Sequence, residues 1–313
     1  MTNPIRIGVI GTSWWADLGH LPFLTTDDRA QVVALCGRNQ ERAQAMATKY
    51  AIPQVFTDYR TMFAEGGLDA VVILTPDDEH FVMTMAALDA GLHVLCEKPL
   101  ARHATHAKQL YERAEAQNVR HMTYFTYRWF PHYRYLHDLL AQGAVGRLYQ
   151  VQLSFMAGNA RNPAYAWRFD PQRASGALGD YGSHMIDRAR YLVGDSARVS
   201  ARLTTHAPRN GPAGQPMYGA CDAATLLIEF RYGGQGTIAV NAAARTHDPA
   251  FEHTVIVHGE TGSLIAAFGL FGAPAKVQLA SGDNGFQDLA IPDEYQQGLD
   301  PDATNRPADW NTL

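Results

Sequence analysis

The first 125 residues alternate short, almost wholly apolar runs with amphipathic stretches, and that alternation leaves few folds open. The apolar runs are Ile5–Ile10, Gln31–Cys36, Ala70–Leu74, His93–Glu97 and Arg120–Phe125. Helical patterns over Gln40–Lys49, His80–Ala90 and Ala104–Gln117 lie between them. Strands that alternate with helices build right-handed crossovers, hence a parallel sheet with helices on both faces. A strand buried on both faces has no polar side, which is why these runs scarcely alternate.

From about Val145 the texture changes. Val151–Phe155 and Leu226–Tyr232 read as strands, and Gly233-Gly234 followed by Gln235–Val240 is a hairpin signal. Thr254–His258, Gly259–Gly262 and Ser263–Ala266 repeat that theme, while Tyr181–Leu192 reads as a helix. The Gly/Pro-rich stretch Ala207–Met217 reads as a surface loop, and the last twenty residues as a polar, poorly ordered tail. The expected fold is therefore α/β: a doubly wound parallel sheet over 1–125, then an α+β domain on a largely antiparallel open sheet over 126–313. Leu226–Tyr232 carries apolar residues on both faces, which fits an open sheet face that meets another subunit.

Composition excludes several function classes. Apolar content of 46% with 18% charge describes a globular chain. A net charge of -5 without Lys/Arg clusters argues against a nucleic-acid surface. No apolar run approaches the roughly 20 residues of a membrane span, and the N-terminus lacks a signal-peptide layout. Cys36, Cys96 and Cys221 stand far apart, which gives neither a disulfide framework nor a zinc site and makes the cytoplasm the default compartment. His103, His106, His121, His132 and His137 form no metal-ligand set with acidic or Cys partners, so no metal is assigned.

The first strand runs into Gly11-Thr12-Ser13-Trp14-Trp15-Ala16. This is the dinucleotide fingerprint G-x-G-x-x-G/A with Ser13 in place of the second glycine. Gly11 supplies the tight turn, Ala16 permits close helix packing, and the helix N-terminus offers free N–H groups to phosphates. Trp14 or Trp15 walls the nucleotide pocket or packs at a domain interface. The second strand ends in Cys36-Gly37-Arg38-Asn39, without the acid that would bind both ribose hydroxyls of NAD. Gly37 leaves room and Arg38 offers a cation to a 2′-phosphate, so NADP is favoured over NAD; the bland reading makes Arg38 a solvated helix-start residue. The strand Ala70–Leu74 runs into Thr75-Pro76-Asp77-Asp78-Glu79-His80. There Asp77 or Asp78 is a natural helix cap, and Thr75, Pro76 and His80 are placed for cofactor contact.

The run His93–Pro99 ends in Glu97-Lys98-Pro99, in a chain with only four lysines. A second constellation follows in Asp180-Tyr-Gly182-Ser-His184-x-x-Asp187. Together with the fingerprint these motifs resemble the family of glucose–fructose oxidoreductase, inositol dehydrogenase and the rhizopine-catabolism proteins (Gfo/Idh/MocA). The resemblance covers roughly residues 5 to 270. It implies a Rossmann-type nucleotide domain and matches Lys98, Asp180 and His184 to the catalytic lysine, aspartate and histidine. It also implies a cis bond before Pro99, aromatic and basic substrate contacts from Arg128, Trp167 and Arg168, and a homodimer or homotetramer built through the open sheet. Family members continue past such a sheet into another strand and a helix that returns to the nucleotide domain. Because this chain stops at Leu313, exposed apolar surface or a covering partner is expected.

The chemistry agrees with the resemblance. Oxidising a secondary alcohol needs a base for the hydroxyl proton while hydride leaves for nicotinamide, and imidazole titrates near neutrality. On a helix Asp180 shares a face with His184 and tunes it; Lys98 stabilises alkoxide character; Glu97 keeps Lys98 positioned, with cofactor contact of its own. The bland readings are a solvated lysine tip, an i,i+4 pair capped by Asp180, and an Asp187 contact on the same helix. The functional expectation is an NAD(P)-dependent oxidoreductase acting on a sugar, polyol or cyclitol. The alternatives are a non-redox lyase, epimerase or glycosidase with tightly bound nicotinamide, and an inactive nucleotide-dependent sensor.

Overall fold

The computed structural model describes residues 3–246, 251–269 and 275–296. The chain divides into two compact units, Met1–Tyr124 with Gln172–Ala174, and Phe125–Pro171 with Ser175–Leu313. The polar tail beyond Gln296 lies outside the described residues.

In the first unit, strands β1 (Ile5–Ile10), β2 (Ala30–Cys36), β3 (Gln54–Phe56), β4 (Ala70–Ile73), β5 (His93–Glu97) and β6 (His121–Tyr124) form one sheet of order β3-β2-β1-β4-β5-β6. Every pairing in it is parallel. Helices α1 (Leu21–Leu24), α2 (Gln40–Lys49), α3 (Tyr59–Glu65), α4 (Asp77–Asp89) and α5 (Ala104–Ala116) make the connections. The apolar strands serve two cores. On β4, Val71 and Ile73 join one cluster with Met83, Leu88 and Leu110, while Val72 joins another with Leu21, Leu35 and Met46. The pleat sends successive side chains to opposite faces, so a doubly covered strand is apolar throughout.

The chain runs outward from β1 to β3, then returns to β4 on the other side of β1. The loops after β1 and β4 therefore flank a topological switch point, the place where open α/β sheets bind ligands. α4 starts at Asp77, three residues before the expected His80, and its cap is the extended Pro76 rather than Asp77 or Asp78. Those acids occupy the first turn, where the helix dipole favours negative charge. Asp78 is paired there with Arg173 at 2.8 Å, and Arg102 donates to the Gln172 carbonyl. The edge strand β3 and helix α3 were not among the expected elements; β3 has three residues, too few to carry a pattern.

In the second unit, α6 (Pro131–Ala141) precedes β7 (Leu148–Ala157), α7 (Ser183–Leu192) and β8 (Ser196–Thr204). A small ribbon of β9 (Arg209–Asn210) and β10 (Pro216–Met217) follows. The remaining elements are β11 (Ala223–Phe230), β12 (Gln235–Asn241), β13 (Phe251–Gly259), β14 (Gly262–Gly269), β15 (Lys276–Ser281), β16 (Gln287–Leu289) and α8 (Asp293–Gln296). Its main sheet has the order β16-β15-β14-β13-β7-β12-β11-β8, antiparallel except for the parallel pair β7–β12. Gly233 and Gly234, both at positive φ, close the β11–β12 hairpin as expected, although β11 ends at Phe230 and Tyr232 lies in the turn. One sheet face is core: Leu226, Ile228, Ile238, Leu153 and Val255 pack with Tyr133 and Leu136 of α6 and Met185 of α7. β11 alternates strictly, with Thr225, Leu227 and Glu229 exposed on the other face. Burial therefore separates the two faces, while Leu227 leaves an apolar side chain on the exposed one, as the residue pattern implied.

Ala207–Met217 is more than a surface loop. Arg209 within it is buried and donates to the carbonyls of Asn162 and Ala160 at 2.7 and 2.6 Å, with Phe169 stacked on its guanidinium. A Gly/Pro-rich composition hid this because one buried arginine, rather than an apolar pattern, anchors the segment.

Candidate functional site

At the end of β1 the turn is built on Gly11, whose φ of 122° lies in the region open to glycine. A Cβ there would stand 2.8 Å from the carbonyl oxygen of Leu74, just past β4, so the main chain at the switch point passes too closely for any side chain. A Cβ on Gly37 would likewise meet Thr12 at 2.6 Å. Ser13 does not open the backbone as a glycine would. Its hydroxyl instead accepts from the Ala16 N–H at 3.4 Å and so starts the helix. Arg38 is exposed at the end of β2. These features fit a dinucleotide: a tight turn, a cradle left open by two glycines, and a cation beside the second strand.

The segment after Trp15 is a π-turn over Ala16–His20 rather than plain α-helix. Its i→i+5 hydrogen bonding brings positions five apart onto one side. Trp15 and His20 consequently meet the same atom. The Trp15 indole N–H donates to Glu97 Oε1 at 2.6 Å, and His20 Nε2 lies 2.9 Å from that oxygen. His20 and Glu97 are both buried, 5% and 7% exposed. Burial alone would raise the Glu97 carboxyl, but the hydrogen bond and charge of His20, with Lys98 and Trp15, hold it below the usual carboxylate range. The second carboxylate oxygen accepts the main-chain N–H of Lys98 at 3.2 Å. Glu97 therefore positions the backbone of Lys98, and the Lys98–Pro99 bond is cis, as the family pattern implied.

Trp15 thus anchors Glu97, a role outside the two readings offered for it. His20 was missed altogether, since an i,i+5 spacing to a tryptophan has no signature in a helical pattern. Thr75 and Pro76 lie at the carboxyl end of β4. Both ring nitrogens of His80 are taken by main-chain carbonyls, those of Pro99 and Thr75. The His80 ring therefore ties two main-chain segments together, a role beyond the cofactor contact expected for it.

In the second unit the Asp180–His184 motif is not one uninterrupted α-helix. Leu178–Gly182 is a π-turn, and α7 begins at Ser183. Asp180 is paired with Arg168 Nε at 3.2 Å, and the Arg168 guanidinium also lies 4.5 Å from the Trp167 ring centroid. His184 is buried beside Tyr127 and Phe125, with ring centroids at 4.4 and 6.0 Å. Asp187 was expected to make its contact within its own helix. It instead takes a bidentate pair from Arg128, with Nε at 2.7 Å and Nη2 at 2.6 Å. A guanidinium fork matches a carboxylate better than any same-helix partner. Arg128 and His184 belong to one side-chain cluster with Tyr127, Tyr133, Asp187 and Arg188.

Among the described residues no group of three His, Cys, Asp or Glu side chains is arranged to hold a metal, and no helix is long and apolar enough to cross a membrane. A family model described as "Oxidoreductase family, NAD-binding Rossmann fold" matches residues 5–125, and the model of the GFO/IDH/MocA C-terminal domain matches residues 133–265. The levoglucosan dehydrogenase of Pseudarthrobacter phenanthrenivorans is 31% identical over 247 residues, covering 72% of this chain and 62% of that protein. D-xylose 1-dehydrogenase (NADP(+)) 2 of Haloferax volcanii is 32% identical over 200 residues, covering 64% of this chain and 61% of that protein. Each match spans less than two thirds of the relative's length. A solved levoglucosan dehydrogenase in complex with NADH and levoglucosan superposes with a TM-score of 0.85 at 28% identity, covering 95% of this chain and 84% of that chain.

Proposed function

Because the chain belongs to the Gfo/Idh/MocA oxidoreductase family, we propose that it transfers hydride between a nicotinamide dinucleotide and a secondary alcohol of a sugar, polyol or cyclitol. The observation that carries this reading is the sheet order of the first unit. It places the Gly11 turn and the Thr75 loop on either side of a switch point, with Lys98 on the adjoining strand end. The names of the relatives, dehydrogenases of levoglucosan and of D-xylose, support a sugar as substrate.

In this reading the nucleotide-binding domain is 1–125, and 126–313 holds substrate and subunit contacts. Gly11, Thr12, Ser13, Trp14, Trp15, Gly37, Arg38, Thr75, Pro76, Glu97 and Lys98 form the nucleotide side. When bound, nicotinamide supplies the hydride acceptor or donor. His184 removes the hydroxyl proton, and its aromatic surroundings exclude water from that transfer. Asp180, which is paired with Arg168 at 3.2 Å, favours the imidazolium that results. Lys98 donates to the substrate oxygen as negative charge develops on it. Arg168 and Trp167 present a cation and an aromatic face to a sugar, and Arg128, fixed by Asp187, belongs to the same side-chain cluster as His184.

NADP is the preferred dinucleotide, read from Arg38 and from the absence of an acid between Cys36 and Asn39. The Arg38→Ala variant is expected to lose NADPH affinity by about 10- to 100-fold, the worth of a charged hydrogen bond of about 1.5–3 kcal/mol. Its NADH affinity should stay put. Equal binding of both dinucleotides by the natural chain, unchanged in the variant, would remove Arg38 from nucleotide discrimination, and tighter binding of NADH would assign NAD. A sugar and polyol panel with the preferred nucleotide, read by the absorbance of reduced nicotinamide, tests the reaction. Product without net cofactor reduction would point to the non-redox alternative.

The exposed face that carries Leu227 on β11 is the proposed subunit contact, and cytoplasm is the proposed compartment. A dimeric or tetrameric mass by light scattering at micromolar concentration is the expected result; a monomer refutes the oligomer.

A further inference from the structure

His80 on α4 is 1% exposed, yet it touches the segments that follow β4 and β5. Its Nδ1 lies 2.7 Å from the Pro99 carbonyl oxygen and its Nε2 lies 2.8 Å from the Thr75 carbonyl oxygen. A carbonyl accepts and never donates. A neutral imidazole has a single N–H, so it would satisfy one carbonyl and turn a lone pair on the other, inside a buried site where that clash is unscreened. Both contacts are attractive only when both nitrogens are protonated. Burial disfavours that charge. Cys96 on β5 and Asp77 on the ring's own helix outweigh it, with help from the Pro99 carbonyl, and His80 is pushed up to about 10.

The geometry points to His80 as a resident imidazolium strap that ties the Thr75 main chain to the Lys98–Pro99 main chain and so positions Lys98. Glu97 holds the same short segment through the Lys98 N–H. The segment is thus gripped by a cationic donor at its Pro99 carbonyl and by an anionic acceptor at its Lys98 amide. This role for Lys98 rests on the dehydrogenase reading; the protonation state of His80 does not.

The full-length chain labelled with 15N-histidine decides the first part without any substrate. With His80 assigned through its own backbone, both ring nitrogens are expected in the protonated range near pH 8, where an exposed histidine of ordinary pKa is neutral. A non-protonated nitrogen on His80 at that pH overturns the strap. The positioning part is read by hydrogen exchange. In His80→Gln, amides of the segment 98–102 and of the turn after Thr75 should exchange at least about tenfold faster, as expected for losing a charged hydrogen bond, while β2 and β3 stay unchanged. Unchanged exchange in those two loops overturns it. Turnover of His80→Gln should fall at least about tenfold with dinucleotide affinity retained; retained turnover also overturns the positioning role. A natural chain that shows the expected spectra and exchange but oxidises no sugar with either dinucleotide refutes the dehydrogenase reading alone.

Discussion

Replacing Lys98 by alanine lowers turnover by about 10²- to 10⁴-fold and leaves dinucleotide affinity within a few fold: that is the expected result if its ammonium steadies the substrate oxygen. The variant is a clean probe because the structure separates side chain from main chain at this position. The Lys98 N–H is held by Glu97 Oε2, and that bond survives removal of the side chain. Loss of rate therefore reports on the ammonium and not on a collapsed loop. Steady-state kinetics with direct NADPH titration make the measurement. His184→Ala should lose a similar factor. The double variant should lose scarcely more than the worse single one, since groups that serve one transition state are strongly non-additive. Additive losses would mean that the two residues do not act in the same step, and wild-type turnover in Lys98→Ala would remove the lysine from the chemistry.

The second large effect falls on stability. Glu97→Ala should destabilise the first unit by about 3–5 kcal/mol, the range for breaking a buried pair. Trp15 Nε1 and His20 Nε2 both lose their acceptor inside the fold, and each stranded donor costs about 1–3 kcal/mol. Urea unfolding near neutral pH measures it, and a loss under about 1 kcal/mol would show that the network is slack. The pH dependence has a fixed sign. The folded Glu97 carboxyl lies below its unfolded value, which is about 4.3. Its contribution is therefore complete above that pH and disappears as pH falls through the lower, folded value. The gap in stability between the natural chain and Glu97→Gln should be constant above about pH 5 and should shrink in acid. A gap that widens in acid would reverse the assignment.

How much of this was legible depended on whether the information was local. The bounds of β1 and β5 follow directly from their apolar runs, and the β11–β12 turn follows from Gly233-Gly234. The placement of Gly11 at the end of the first strand needed only the fingerprint and its position. Asp187 shows the limit. Its partner Arg128 is 59 residues away, and the motif offered nearer candidates on its own helix. Arg209 shows it again: a Gly/Pro-rich stretch reads as loop, and nothing in its composition reveals a buried guanidinium that donates to two carbonyls.

The sequence by itself determined the layering of the first unit, the hairpins of the second and the residue types available for proton and hydride chemistry, because periodicity and turn chemistry act over a few residues. Tertiary structure decided which of those groups are bound to one another. Two π-turns, at Ala16–His20 and Leu178–Gly182, shift side chains off the α-helical spacing that a pattern assumes. Strand order then brings Glu97 to Trp15 and His20, and lays His80 between the carbonyls of Thr75 and Pro99. Buried polar groups must find partners wherever the fold supplies them. Their pairing is a property of the assembled sheet rather than of any segment read alone.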